Sequence, residues 1–147
     1  MTAADLIKKH EGYANAPYKC PAGKTTIGWG HNVEAHPLPK DIEGYLFANG
    51  FILPEHAERL LQADIAMATQ DCQRAYFGFD QFSEARRAAL IDFMFNVGLT
   101  TAMKFRKMRE AISNGDWNQA ATELCCSRWS NQVGDRAPEI ISLVKNG

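Results

Sequence analysis

The chain has 147 residues, of which 46% are hydrophobic and 22% charged, and its formal net charge is −1. That length fits one domain able to bury roughly two-thirds of the surface its unfolded form exposes, and the composition excludes a disordered polymer. The weak charge argues against a dedicated nucleic-acid binder, and no run approaches the roughly 20 apolar residues of a membrane span.

MTAADLIKKHEG has no apolar signal core, so the protein is expected in the cytoplasm of the cell that makes it. Thr2 is placed to cap a helix over residues 3–11, with Asp5 favourable in its first turn. Leu6, His10 and Tyr13 share one face, Ile7 and Glu11 the next, and Gly12 supplies the stop. Residues 17–34 have strand character broken by the turn signal Pro21-Ala22-Gly23, which predicts a small antiparallel sheet. Along it Thr25, Ile27 and Trp29 point one way and Thr26, Gly28 and Gly30 the other. The two glycines leave one face bare, which suits close approach by a ligand or another backbone. Pro37, Pro39, Gly44 and Gly50 make residues 35–53 read as a loop-rich connection.

Pro54 opens a long helix, where the stripe Leu61, Ile65, Ala68 and Cys72 stays apolar to about residue 75. Ser83 caps a helix through Leu90, Ile91, Phe93, Met94 and Phe95 to Gly98, too broadly apolar for an exposed position. Shorter helices are expected over 102–113, 117–126 and 136–145. The pattern is α+β and a single domain over 1–147. It comprises a sheet lobe at about 12–53, a connecting helix at about 54–76, and a helical lobe at about 80–147 that includes helix 3–11. A cleft between lobes is a natural ligand site.

Charge is uneven: the first 82 residues sum to −3 and the remainder to +2. Lys104, Arg106, Lys107 and Arg109 form a basic cluster, read first as a solvated helix face and second as an attraction for an anionic polymer such as cell wall. The four cysteines lack a C-x-x-C pair, so no structural zinc is expected. Cys72, Cys125 and Cys126 fall on apolar helical patterns and are predicted to be small core residues.

The richest segment is HEGYANAPYKCPAGKTTIGWGH, in which Glu11 is followed nine residues later by Cys20 and six after that by Thr26. It resembles the phage-type lysozymes or endolysins (glycoside hydrolase family 24), whose catalytic triad is spaced Glu-x8-Asp-x5-Thr with Cys for Asp in some members. The similarity is close around TIGWGH and looser over nearly the whole chain. It implies a lysozyme-like fold and hydrolysis of the β-1,4 bond between N-acetylmuramic acid and N-acetylglucosamine in peptidoglycan. It also implies a monomer that needs no metal or cofactor, neither binds nucleic acid nor inserts in a membrane, and reaches the wall through a phage-made membrane lesion.

Cleaving such a bond needs an acid for the leaving oxygen and a group that handles the water or the developing cation. Glu11, at a helix C-terminus, is the candidate acid, since the dipole and partial burial favour its protonated form. By the resemblance Cys20 stands where a carboxylate orients water, and Thr26 helps orient that water opposite Glu11. Thr25 is its decoy and should face away. Cys20 could instead be a passive thiol in an enzyme working through Glu11 alone. An inverting site spaces its partners roughly 6.5–9.5 Å apart. The resemblance pairs His31 with Asp64 in a structural salt bridge, and puts Phe105 and Asn131 along the saccharide. Trp129 reads as a buried packing residue, and Trp29 and Trp117 as packing residues too. Three other functions fit the same residues: a lytic transglycosylase using no water, a non-catalytic wall binder, and a thiol peptidase or amidase with His31 or His36 as base. The last is disfavoured because Cys20 lies beside Pro21 at a turn rather than at a helix N-terminus.

Overall fold

A computed structural model describes all 147 residues and places them in nine α-helices and a three-stranded sheet. The architecture is α+β. The chain divides into two compact units, residues 7–64 and residues 1–6 with 65–147. The boundaries fall inside helices α1 (Ala3–Glu11) and α3 (Pro54–Ala75) rather than at their ends, so α1 is not wholly part of the helical unit.

The sheet unit holds β1 (Ala14–Lys19), β2 (Thr25–Gly28) and β3 (His31–Asn32), antiparallel in the order β1-β2-β3. Tyr18 lies opposite Thr26 and Lys19 opposite Thr25, with an irregularity between Ala14 and Tyr18. The hairpin turn is closed by Cys20 N–H to Lys24 O at 2.9 Å and Gly23 N–H to Cys20 O at 2.8 Å. Ile27 is fully buried with Leu38, Ile42, Ile52, Ala57 and Leu60, and Trp29, Val33 and Leu46 pack on that core. Residues 35–53 are not mainly loop: α2 (Lys40–Asn49) occupies most of them. Pro39 precedes its first turn, and Gly50, at φ 81°, ends it by donating its N–H to Leu46 O. Two of the residues that suggested broken structure, Pro39 and Gly50, are the helix's own punctuation, and Gly44 lies within it.

In the helical unit, Thr2 and Asp5 cap α1 reciprocally, Asp5 N–H donating to Thr2 Oγ1 and Thr2 N–H to Asp5 Oδ2. Helix α4 (Glu84–Val97) starts at Ser83, whose hydroxyl accepts from Arg86 N–H, and buries Ala88 through Met94 without a break. Around it lie α5 (Leu99–Met103), α6 (Arg106–Ser113), α7 (Trp117–Cys125), α8 (Arg128–Gln132) and α9 (Arg136–Asn146). The predicted single helix over 102–113 is split at Lys104-Phe105, and α8 is an element the periodicity did not show. Trp129 is buried, donates Nε1–H to Asn96 Oδ1 at 2.7 Å and meets Phe93 edge-on. Asp92, fully buried in α4, pairs with Arg136 through two 3.0 Å hydrogen bonds.

Two of the predicted core thiols are misplaced. Cys72 is buried, and desolvation together with the charge of Asp71 pushes its thiol well above the ordinary range. Cys125 and Cys126 are exposed, because α7 ends at Cys125 and its buried stripe closes with Ala120, Ala121 and Leu124.

Candidate active site

Glu11, Cys20, Thr26, His31 and Asp64 all fall within the sheet unit, whereas Phe105 and Asn131 belong to the helical unit. Glu11 is the last residue of α1, and Gly12 N–H bonds back to Lys8 O to stop the helix there. One turn earlier Lys8 sits over the Trp29 ring at 4.4 Å and pairs with Glu58 at 2.9 Å. Tyr13 also packs against that indole, ring centroids 4.9 Å apart and tilted by 43°. These contacts tie the end of α1 to the end of β2.

Gly30 is what lets Glu11 lie where it does. Its φ is 68°, and a Cβ built there would stand 2.8 Å from both Cδ and Oε2 of Glu11. A side chain would therefore clash with the carboxyl as well as strain the turn. The bare strand face read from the glycines does admit a neighbour, but at Gly30 that neighbour is the Glu11 carboxyl, and at Gly28 it is Ala57 of α3.

Thr26 is buried, and its hydroxyl donates to Lys24 O at 3.0 Å. Thr25 faces elsewhere: its hydroxyl accepts from Lys19 Nζ at 2.8 Å and its N–H donates to Glu34 Oε2. The Cys20 sulfur lies in the hairpin turn, half-buried. Burial alone would raise its pKa, but the backbone N–H groups of Lys24 and Ala22 and the Thr26 hydroxyl outweigh that and hold the thiol below its ordinary value. A Thr26 hydroxyl has one proton and here two acceptors, Lys24 O and Cys20 Sγ. With Cys20 as a thiol, Thr26 serves Lys24 and can accept S–H. With Cys20 as a thiolate, the same proton turns to sulfur. The charge on Cys20 and the orientation of Thr26 are thus one coupled state.

His31 is buried with its Nδ1 2.7 Å from Asp64 Oδ2 and its Nε2 2.8 Å from His36 O. Both ring nitrogens are engaged, and both partners are acceptors, so the doubly protonated ring satisfies both at once. Desolvation opposes that charge, yet the hydrogen bond and charge of Asp64 prevail and raise the His31 pKa. A ring committed at both nitrogens joins strand to helix and has no free atom for proton transfer.

In the helical unit Phe105 precedes α6, meets Phe93 edge-on at 5.1 Å and lines a cavity of about 640 Å³ with Lys104, Arg106, Lys107 and Arg128. Asn131 is exposed on α8. Trp29 packs half-buried on the sheet-unit core, and Trp117 meets Phe82 edge-on beneath the Arg86 guanidinium. No cluster of three or more His, Cys, Asp or Glu is arranged to hold a metal ion. No helix is long and apolar enough to cross a membrane.

The sheet unit thus holds an acid at a helix end beside a glycine turn, and a thiol and a buried hydroxyl sharing one hydrogen-bond network. The sequence model of the phage lysozyme family matches residues 8–145, and the chain belongs to that family. It is accordingly a glycoside hydrolase acting on peptidoglycan. It is 28% identical over 158 residues to probable T4-type lysozyme 2 of Dictyostelium discoideum, covering 97% of this chain and 93% of that one. It is likewise 28% identical over 141 residues to the endolysin of Acyrthosiphon pisum secondary endosymbiont phage 1, covering 95% and 86%. The pre-baseplate central spike protein Gp5 of Enterobacteria phage T4 is 27% identical over 161 residues, covering all of this chain and 28% of that longer protein.

Proposed function

We propose that the chain is an endolysin-type muramidase that hydrolyses the β-1,4 bond between N-acetylmuramic acid and N-acetylglucosamine, with Glu11 as general acid and Cys20 and Thr26 holding the attacking water. The observation that carries this reading is the Cys20–Thr26 network, in which a thiol with a lowered pKa stands in for a carboxylate. The protonated Glu11 carboxyl gives its proton to the glycosidic oxygen as the C–O bond breaks, and the bonding pair leaves with that oxygen. Water adds to the anomeric carbon from the opposite face, inverting it. Its surplus proton passes to the Cys20 thiolate, and exchange with solvent then restores Glu11 and Cys20. Thr26 supplies the hydroxyl that fixes the water and sulfur. His31–Asp64 is a structural bridge, and Phe105 and Asn131 contact the saccharide through an apolar ring and an amide. The protein works as a monomer, without metal or cofactor, on glycan strands it meets once released from the cytoplasm.

Mass spectrometry of the sugars released from purified peptidoglycan tests the reaction. Reducing-end muramic acid is expected. Anhydro-muramic ends, one water lighter, would replace the hydrolytic reading with transglycosylation and leave Cys20 without a water to hold. Glu11→Gln should lower the rate about 100-fold, the size of a lost general acid. Unchanged turnover would remove Glu11 from the chemistry.

A further inference from the structure

β1 pairs with β2 so that Tyr18 lies directly opposite Thr26. Directly opposed residues of an antiparallel ladder project to the same face, and residues two apart on a strand do so as well. Tyr18 therefore shares a face with Thr26 across the ladder, and Cys20, just past the end of β1 in the hairpin turn, shares a hydrogen bond with the Thr26 hydroxyl. The pair Lys19 and Thr25 takes the opposite face, where Lys19 Nζ binds the Thr25 hydroxyl and approaches Glu34 at 3.6 Å. The sheet thus separates a solvated ionic face from one carrying Tyr18 and Thr26, with Cys20 in the turn bonded to Thr26.

Tyr18 lacks the contacts a packing tyrosine makes. It is 38% exposed on the edge strand, makes no ring contact with another aromatic residue, and its hydroxyl has no protein partner. The other tyrosines differ. Tyr13 packs against Trp29, Tyr45 meets Phe51 and His56, and Tyr76 is wholly buried. Tyr18 also lies within electrostatic reach of both Glu11 and Cys20, since burial and then the negative charges of those two groups raise its pKa. The phenol stays neutral beside them and remains a hydrogen-bond donor. A flat ring with a polar tip, set beside an acid and a water-holding thiol, matches a sugar, which presents an apolar ring face edged by hydroxyls.

We propose that Tyr18 is a substrate-positioning residue. Its hydroxyl hydrogen-bonds the sugar whose anomeric carbon is attacked, holding that carbon between Glu11 and the water on Cys20 and Thr26. This rests on the muramidase reading above and extends it by one residue on the same strand face.

The experiment compares wild type, Tyr18→Phe and Tyr18→Ala on soluble peptidoglycan oligosaccharides, reading kcat, KM and thermal midpoint. Tyr18→Phe should lower kcat/KM about tenfold with an unchanged midpoint, because the hydroxyl it removes bonds nothing in the protein. Tyr18→Ala should lower it further, with the ring gone too. Equal kcat/KM for Phe and wild type, or a rate loss matched by a fall in midpoint, would overturn the proposal. Calorimetric binding of the same oligosaccharides to Glu11→Gln, with and without Tyr18→Phe, isolates the contact from turnover. Weaker binding of the double variant, by about fivefold or more, is expected, and equal binding refutes the contact. A wild type that releases no sugar at all would instead end the muramidase reading, while this binding pair still judges Tyr18.

Discussion

Each unit of the molecule removes one ion pair from water, and the two pairs respond differently to pH. In the helical unit Asp92 and Arg136 meet through two parallel 3.0 Å bonds in the middle of the core helix α4. Neither group ordinarily changes charge near neutrality. In the sheet unit His31 and Asp64 meet through one 2.7 Å bond, and the imidazole is a group that does. The helical unit fixes its core with a permanent charge pair. The sheet unit, which carries the catalytic candidates, fixes strand to helix with one that depends on a proton. The two units thereby differ in how their buried pairs answer to pH.

The largest expected effect is on the permanent pair. Asp92→Ala leaves the Arg136 guanidinium buried without its fork partner, and breaking such a pair costs about 4 kcal/mol. Urea unfolding should show that loss at pH 5.5 and at pH 8 alike. A cost under about 1 kcal/mol would mean that Arg136 reaches water or another acceptor once Asp92 is gone.

His31→Asn should cost about 3 kcal/mol at pH 5.5. The folded pKa of His31 is raised above its ordinary 6.5, so the pair's contribution is complete below that value. It then fades as pH rises through the folded pKa, and the penalty of the substitution should shrink with it. Unfolding free energies of wild type and variant from pH 5.5 to 9 measure this directly. A penalty that is flat across that range would show that the charged imidazole is not what holds Asp64.

What was legible in the sequence follows the same division. Helices α3 and α4 were readable because Pro54 and Ser83 mark their starts and long apolar stripes their faces. Helix α2 was not, since Pro39, Gly44 and Gly50 count as breakers until two of them are seen to sit at its ends. Exposure of Cys125 and Cys126 was hidden for a related reason: periodicity says which face is apolar but not where the helix stops. At the candidate site, spacing singles out Glu11, Cys20 and Thr26, yet the pairing of Tyr18 with Thr26 needs a register. The displacement of the Glu11 carboxyl that a side chain at Gly30 would force needs coordinates. Asp92–Arg136 left no signal at all, being a contact across 44 residues between helices whose patterns look apolar or amphipathic alone.

The smallest effect sharpens the comparison most, because it asks whether the sheet unit carries a second proton-dependent device at Cys20. Cys20→Ala should lower kcat/KM at least tenfold, about 1.4 kcal/mol of transition-state stabilisation. Cys20→Asp should preserve or raise activity near pH 7, because a carboxylate is charged there without help. The pH profiles separate a thiolate from a passive thiol. If the thiolate is the working form, wild-type kcat/KM climbs with pH through a Cys20 pKa set below the thiol's ordinary 9.0 by the Lys24, Ala22 and Thr26 donors. In Cys20→Asp that rising limb moves down into the carboxylate range. An identical limb in both enzymes would assign it to another group. Alkylation gives an independent reading: the half-buried Cys20 sulfur should react and inactivate wild type while Cys20→Asp survives. The exposed Cys125 and Cys126 react in both enzymes, and Cys72, buried and hard to ionise, reacts in neither. Equal inactivation of both would therefore trace the damage to the end of α7, in the helical unit, and leave Cys20 without a part in the sheet unit's response to pH.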